Sequence, residues 1–131
     1  MGSQQPLEMI LVRQLSKHLA IPVWILEATG ELAFYNEPAE VVLGVEFADL
    51  GPLVSVDISE MFEITEVDGE PVPEDELPIM VALTTNRPSS RKVRFRAKDG
   101  IWKLVEVIAM PIVGQGDRCL GVMATFWELD E

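Results

Sequence analysis

Residues 30–44 read Gly30-Glu31-Leu32-Ala33-Phe34-Tyr35-Asn36-Glu37-Pro38-Ala39-Glu40-Val41-Val42-Leu43-Gly44. Leu32 to Tyr35 is a short apolar strand that leaves a turn ending at Gly30. Asn36 stops the strand and offers a side-chain oxygen to the first free amides of a helix. Pro38 is tolerated in the first helical turn, Glu40 suits the positive end of the helix, and Gly44 supplies a left-handed stop. Upstream, Val23 to Leu26 is a continuous apolar run that turns through Glu27–Gly30, so the two strands form a hairpin.

Working outward, Pro6 to Ala20 is expected to be a helix, with Pro6 in the first turn and Pro22 stopping it. Leu7, Ile10, Leu11, Val12, Leu15 and Leu19 cover an arc of about 200°, wider than one amphipathic stripe. Two readings stand: a helix packed on its own domain, or one gripped on two sides by its domain and a second copy. Beyond Gly44, Phe47 to Ile64 is irregular. Gly51-Pro52 breaks it, while Ile58, Met61 and Phe62 suggest another brief helix. Val67 to Pro73 is turn-rich. Asp75 is placed as the cap of a helix over Glu76–Thr85, which Asn86 and Pro88 end.

The last third is β. In Lys92-Val93-Arg94-Phe95-Arg96-Ala97-Lys98 the apolar residues alternate with four cations. Asp99-Gly100 is a hairpin turn, Ile101 to Val113 the next strand, and Leu120 to Trp127 the last, after a turn at Gly114–Asp117. Helix, two strands, short helices and three strands define an α+β fold with an antiparallel sheet.

The chain of 131 residues is one domain's length, and 48% hydrophobic residues exclude a disordered polymer. No apolar run reaches the roughly 18–20 residues of a membrane span, and no signal peptide opens it. Met1-Gly2 suggests myristoylation, but Pro6 stands where Ser or Thr is wanted. The single Cys119 excludes an internal disulfide and suits a reducing compartment, which points to the cytoplasm. Between His18 and Asn86 there are fifteen Asp and Glu and no Lys or Arg. Eight of the ten basic residues crowd into Arg87–Arg118. With a net charge of -12, that distribution rejects nucleic acid as a partner.

From about Ile21 to Asp130 the sequence resembles a PAS domain. The resemblance rests on Asn36 and Gly44 eight residues apart, the lead-in Gly30, Leu32 and Phe34-Tyr35, and Asp68-Gly69-Glu70-Pro71 before the last helix. Asp99-Gly100, Pro111 and Gly121-Val122 complete it. It implies a five-stranded antiparallel sheet with short helices on one face and a pocket between them, preceded by an N-terminal helix. Residues 1–20 then form a dimerisation or capping helix and residues 21–131 the PAS domain. The family often ends on an Asp-Ile-Thr signature that passes signals to an effector. Glu128-Leu129-Asp130-Glu131 matches it only in part, which leaves a sensor domain of a longer protein or one that signals by association.

Catalysis finds no compatible cluster. His18, the only histidine, sits in the terminal helix, and Cys119 lies beside a hairpin turn as a small core hydrophobe. No His/Cys group has zinc spacing, so no metal is expected. Haem-binding PAS domains usually ligate through a histidine in the helix matching Glu76–Thr85, which has none. Photosensory flavin members carry a reactive cysteine in a short earlier helix, and Cys119 is elsewhere. Neither haem nor a covalently bound photosensory flavin is therefore expected and no cofactor is predicted, which leaves a non-covalent flavin or a small apolar ligand as the alternatives. Phe34, Met61, Phe62, Met80, Leu83 and Phe95 are the candidate pocket walls, with close core packing as the other reading. The resemblance implies a non-enzymatic sensory or interaction module, homodimeric through Leu7, Leu11 and Leu15 with Arg94 and Arg96 on the sheet face. The alternative is a small-molecule receptor whose occupancy regulates an effector such as a kinase, cyclase or transcription regulator.

Overall fold

The computed structural model describes residues 6–50 and 61–130. The chain runs α1 (Leu7–Ser16), β1 (Val23–Glu27), β2 (Leu32–Tyr35), α2 (Glu37–Leu43) and α3 (Phe47–Leu50). A 3-10 turn (Glu74–Glu76), α4 (Pro78–Thr85), β3 (Ser89–Arg96), β4 (Trp102–Val113) and β5 (Cys119–Glu128) follow. All five strands pair antiparallel in the order β2-β1-β5-β4-β3. The sequence-level expectation of an α+β fold with this sheet holds. The expected break at Gly51-Pro52 and the contribution of Ile58 lie outside the described residues; Met61 and Phe62 are helical.

Strand alternation gives the sheet two apolar faces. The inner face carries Trp24, Leu26, Tyr35, Val93, Phe95, Val105, Ala109, Val122, Ala124 and Phe126, and α2 and α4 contribute Ala39, Leu43 and Ala82 to the same core. The outer face carries Val23, Ile25, Ile112 and Leu120, gathered around Met9 of α1. Between β1 and β2 the register runs Ile25↔Phe34 and then Leu26↔Leu32, skipping Ala33. That bulge lets Leu32 and Tyr35, three residues apart, both join the inner core.

Asn36 joins the two layers. Its Oδ1 accepts from Ala39 N (3.2 Å), capping α2, and from Val23 N (2.9 Å) at the start of β1. Its Nδ2 donates to Ser16 O (2.8 Å) and Ile21 O (2.9 Å). One buried amide thus ties the end of α1 to the sheet and to α2. Gly44 closes α2 at φ 79°, as its left-handed role requires.

Two helix limits differ from the sequence expectation. The first helix ends at Ser16, not Ala20. The Ser16 carbonyl goes to Asn36, and His18 N donates to Leu15 O (3.0 Å) in a tightened turn. Asp75 does not cap the later helix. It lies within the 3-10 turn, and Leu77 at φ -62°, ψ 137° is the residue before the first helical position. Pro78 forces that extended conformation on Leu77, so a helix cannot run through from Glu76.

α1 packs on its own sheet through Met9, which is 3% exposed, with Val12 partly buried beside it, while Leu7, Leu11 and Leu15 point away. Gly121 explains the choice of face: a Cβ there would collide with the Leu26 carbonyl and crowd the Met9 thioether, at 3.0 Å from Sδ. The missing side chain leaves the hollow in β5 into which Met9 fits.

Candidate functional site

Among the described residues the inner core holds a partly open cavity of about 90 Å³, walled by residues of β1, α2, α4 and β3–β5 together with Phe62 and Ile64. The lining side chains among the described residues are aliphatic or aromatic. The aromatic side chains form a connected series. Trp24 stacks on Tyr35 at 5.3 Å and 17°, Phe62 meets Trp24 edge-on at 6.3 Å, and Phe95 meets Phe62 edge-on at 6.1 Å. Such contacts fix ring positions beyond what area burial does. The Tyr35 hydroxyl donates to Val45 O at 2.8 Å. Burial pushes this phenol's pKa far up, and the nearby Glu40 and Asp49 carboxylates push the same way. The Trp24 Nε1–H is buried and makes no hydrogen bond.

Of the six pocket residues expected from sequence, Phe62 and Phe95 line this cavity. Met61, Met80 and Leu83 pack against the same core but do not reach the cavity wall. Phe34 belongs to the other side of the sheet: with Tyr35 directed inward, its neighbour faces out and joins the cluster around Met9. There the Arg13 guanidinium lies 4.8 Å, and the Lys17 ammonium 5.8 Å, from the Phe34 ring centre. Trp24, Leu77 and Phe126 are lining residues that sequence reasoning did not single out. The one available signal was Trp24's place in a strand apolar on both faces.

The second candidate region is the outer sheet face. Leu7, Leu11 and Leu15 of α1 are 65%, 52% and 55% exposed. α1 lies against β4 and β5, so these leucines adjoin that face. Alternation turns Leu104, Ile108 and Met110 of β4 outward, with Met123 opposite Met110 and Trp127 opposite Glu106 on β5. Trp102 and Trp127 are both exposed. Arg94 and Arg96, expected on the sheet face, also bond within the chain to its acidic loop. Arg94 Nε donates to Val67 O (3.0 Å), and its backbone exchanges two hydrogen bonds with Thr65 that close the edge of β3. Arg96 pairs with Glu63 at 2.6 Å. Arg91 pairs with Glu66 and, at 3.6 Å, with Glu76.

His18 is exposed beyond the end of α1, and Cys119, half-buried, directs its thiol to Gly121 O at 3.4 Å. Among the described residues, no group of three His, Cys, Asp or Glu is gathered to hold a metal ion. No helix among them is long and apolar enough to cross a membrane.

This is the PAS fold. The chain is similar to the PAS domain of a protein from Colwellia psychrerythraea, at 14% identity and TM-score 0.65, covering 92% of this chain and 96% of that one. It is similar to the LOV protein of Rhodobacter sphaeroides at 12% identity and TM-score 0.72, covering 95% and 68%. A light-oxygen-voltage domain whose mechanism is probed with a flavin analogue matches at 9% identity and TM-score 0.69, covering 93% and 86%. No family sequence model and no curated protein sequence matches the chain. Cofactor pockets usually measure about 300 Å³ or more and offer several polar contacts, whereas the described residues here bound about 90 Å³ with largely carbon walls.

Proposed function

We propose that the protein is a non-enzymatic sensory and interaction module that homodimerises through α1 and the outer face of its sheet. The observation that carries this reading is the exposure of Leu7, Leu11 and Leu15 beside an outward row of Ile108, Met110 and Trp127. Met9 and Val12 already anchor α1 to its own sheet. The leucines are therefore surplus to folding, and a contiguous apolar patch of this kind marks an interaction surface. A second copy presents the same patch, as a two-fold interface requires. A downstream protein or effector domain receives the signal. The acidic balance argues against nucleic acid, and the lone thiol of Cys119 suits a cytoplasmic setting.

Light scattering on the wild type and on a Leu11→Glu/Leu15→Glu double variant tests the proposal. The wild type is expected at twice the 14.6 kDa chain mass and the variant at the chain mass. A monomeric wild type, or a dimer unaffected by both substitutions, refutes it.

A second reading is supported by the cavity: a receptor whose occupancy shifts a conformational equilibrium, which demands that a ligand bind one state better than the other. Trp24 pairs with and stacks on Tyr35, which precedes Asn36 in the chain, and Asn36 holds the end of α1. A change in the cavity therefore has a short physical route to the proposed dimer helix.

A further inference from the structure

Two segments that wall the inner cavity are joined by side chains rather than by backbone. One is the strap of residues 62–67, whose Phe62 and Ile64 line the cavity. The other is the 3-10 turn with the residues that follow it, of which Leu77, Pro78 and Ile79 are lining residues. The strap is stitched to the edge of β3, where Thr65 and Arg94 exchange backbone hydrogen bonds of 2.8 and 2.9 Å. Among the described residues no backbone hydrogen bond joins the strap to the 3-10 turn. A seam therefore runs between two parts of one apolar wall.

Arg91 spans that seam. Its strand neighbour Val93 and its cross-strand partner Val107 both line the cavity, so alternation puts the Arg91 side chain on the same face, beside the wall. Its guanidinium pairs with Glu66 of the strap and, at 3.6 Å, with Glu76 of the 3-10 turn. Glu66 lies two residues beyond Ile64, and Glu76 immediately precedes Leu77. The Glu76 side chain is 55% exposed, so the guanidinium sits where the wall reaches solvent. The aliphatic stem of Arg91 runs from the apolar wall to that surface, as long cationic side chains commonly do.

Both sides of the seam are acidic. Glu63, Glu66, Asp68 and Glu70 belong to the strap and the turn after it, and Glu74, Asp75 and Glu76 to the 3-10 turn. Arg96 pairs with Glu63, on the strap side alone among the described residues. Without the Arg91 guanidinium, Glu66 and Glu76 would meet as like charges. Exposed ion pairs hold weakly and are screened by salt, so a closure built from them parts easily.

Resting on the receptor reading above, we infer that this seam is the way into the cavity for a small uncharged apolar ligand and that Arg91 is the latch that closes it. The walls choose the ligand class, because aliphatic and aromatic side chains give a charged group nothing to replace its hydration. Arg91 sets how fast the ligand enters and leaves, and the wall residues set how tightly it is held.

The probe is xenon, which occupies apolar cavities, applied under pressure to the whole 131-residue chain. Methyl signals of Val93 and Val105 report occupancy, and xenon exchange NMR gives the exit rate. Arg91→Gln keeps much of the stem and removes the charge, Glu76→Gln breaks one arm of the latch at an exposed position, and Arg96→Gln removes a cation from the strap but not from the seam. Saturable methyl shifts are expected in every protein. Exit is expected to be about three- to fivefold faster in Arg91→Gln, as the loss of exposed ion pairs implies, less accelerated in Glu76→Gln, and unchanged in Arg96→Gln. Added sodium chloride is expected to speed exit from the wild type and not from Arg91→Gln. The salt series and Glu76→Gln decide the matter even if Arg91→Gln does not fold. Xenon that binds but leaves at one rate whatever the salt or variant overturns the latch and leaves the receptor reading standing. An acceleration in Arg96→Gln equal to that in Arg91→Gln also overturns the seam as the route. Xenon that never moves Val93 and Val105 overturns the latch and the receptor reading together.

Discussion

The two faces of one sheet are both apolar, but they are covered in different ways. On the inner face, α2, α4 and the segment around Phe62 close over Trp24, Phe95, Val105 and Phe126, leaving only a small internal space. On the outer face, a single helix covers one end of the sheet through Met9 and Val12, and its leucines and the row from Ile108 to Trp127 face outward. Burial on the inner side is largely met within the chain, while on the outer side apolar surface stays exposed. The difference separates the two proposed roles, a small ligand inside and a partner outside, with Asn36 as the residue that touches both layers.

Asn36→Ala breaks the comparison most severely, because it removes four side-chain hydrogen bonds to the backbone and unlinks the layers. A loss of about 3–4 kcal/mol is expected in urea unfolding. A loss below about 1 kcal/mol would mean that the layers do not depend on this amide. Met9→Ala probes the outer layer alone, with an expected loss of about 2–3 kcal/mol and the cavity left intact. If the Trp24 indole signal moves as much as the α1 signals, the two faces are not separable.

Tyr35 sharpens the inner side. Its buried phenol keeps its proton to higher pH than the unfolded chain does, so above about 10 the unfolded state binds fewer protons. Stability is complete below that value and falls as pH rises past it. Tyr35 is the only tyrosine, so tyrosinate absorbance reports it directly. The native protein is expected to resist ionisation until it unfolds, and ordinary titration near 10 would contradict its burial. The smallest effect belongs to the rim. Arg96→Ala removes an exposed pair with Glu63 and should cost no more than about 0.5 kcal/mol. A reduction in dimer mass on that change would place Arg96 in the proposed interface as well.

The sequence carried the local rules well. The strand, cap, helix and stop of Gly30–Gly44 fold as their residue types dictate, and the alternation through Val93 and Phe95 assigns the inner face of β3. Side-chain partnership across the fold was harder to read. Choosing Tyr35 over Phe34 as the inward ring depends on a bulge at Ala33, which no local pattern announces. Selection of Met9 over the leucines depends on a hollow at Gly121, more than a hundred residues away in the chain. Trp24 becomes distinctive only once its neighbours from five other elements prove unable to accept from its nitrogen. Proximity in three dimensions, rather than residue type, decides each of these.

The division of labour between the faces is tested most directly by methyl NMR over a dilution series of the wild-type protein. On dilution, the methyl signals of Leu11, Leu15, Ile108 and Met110 are expected to shift together along one association curve, while those of Leu43, Val93 and Val105 stay fixed. Signals that are all independent of concentration, or a set that moves on the inner face, would contradict the account.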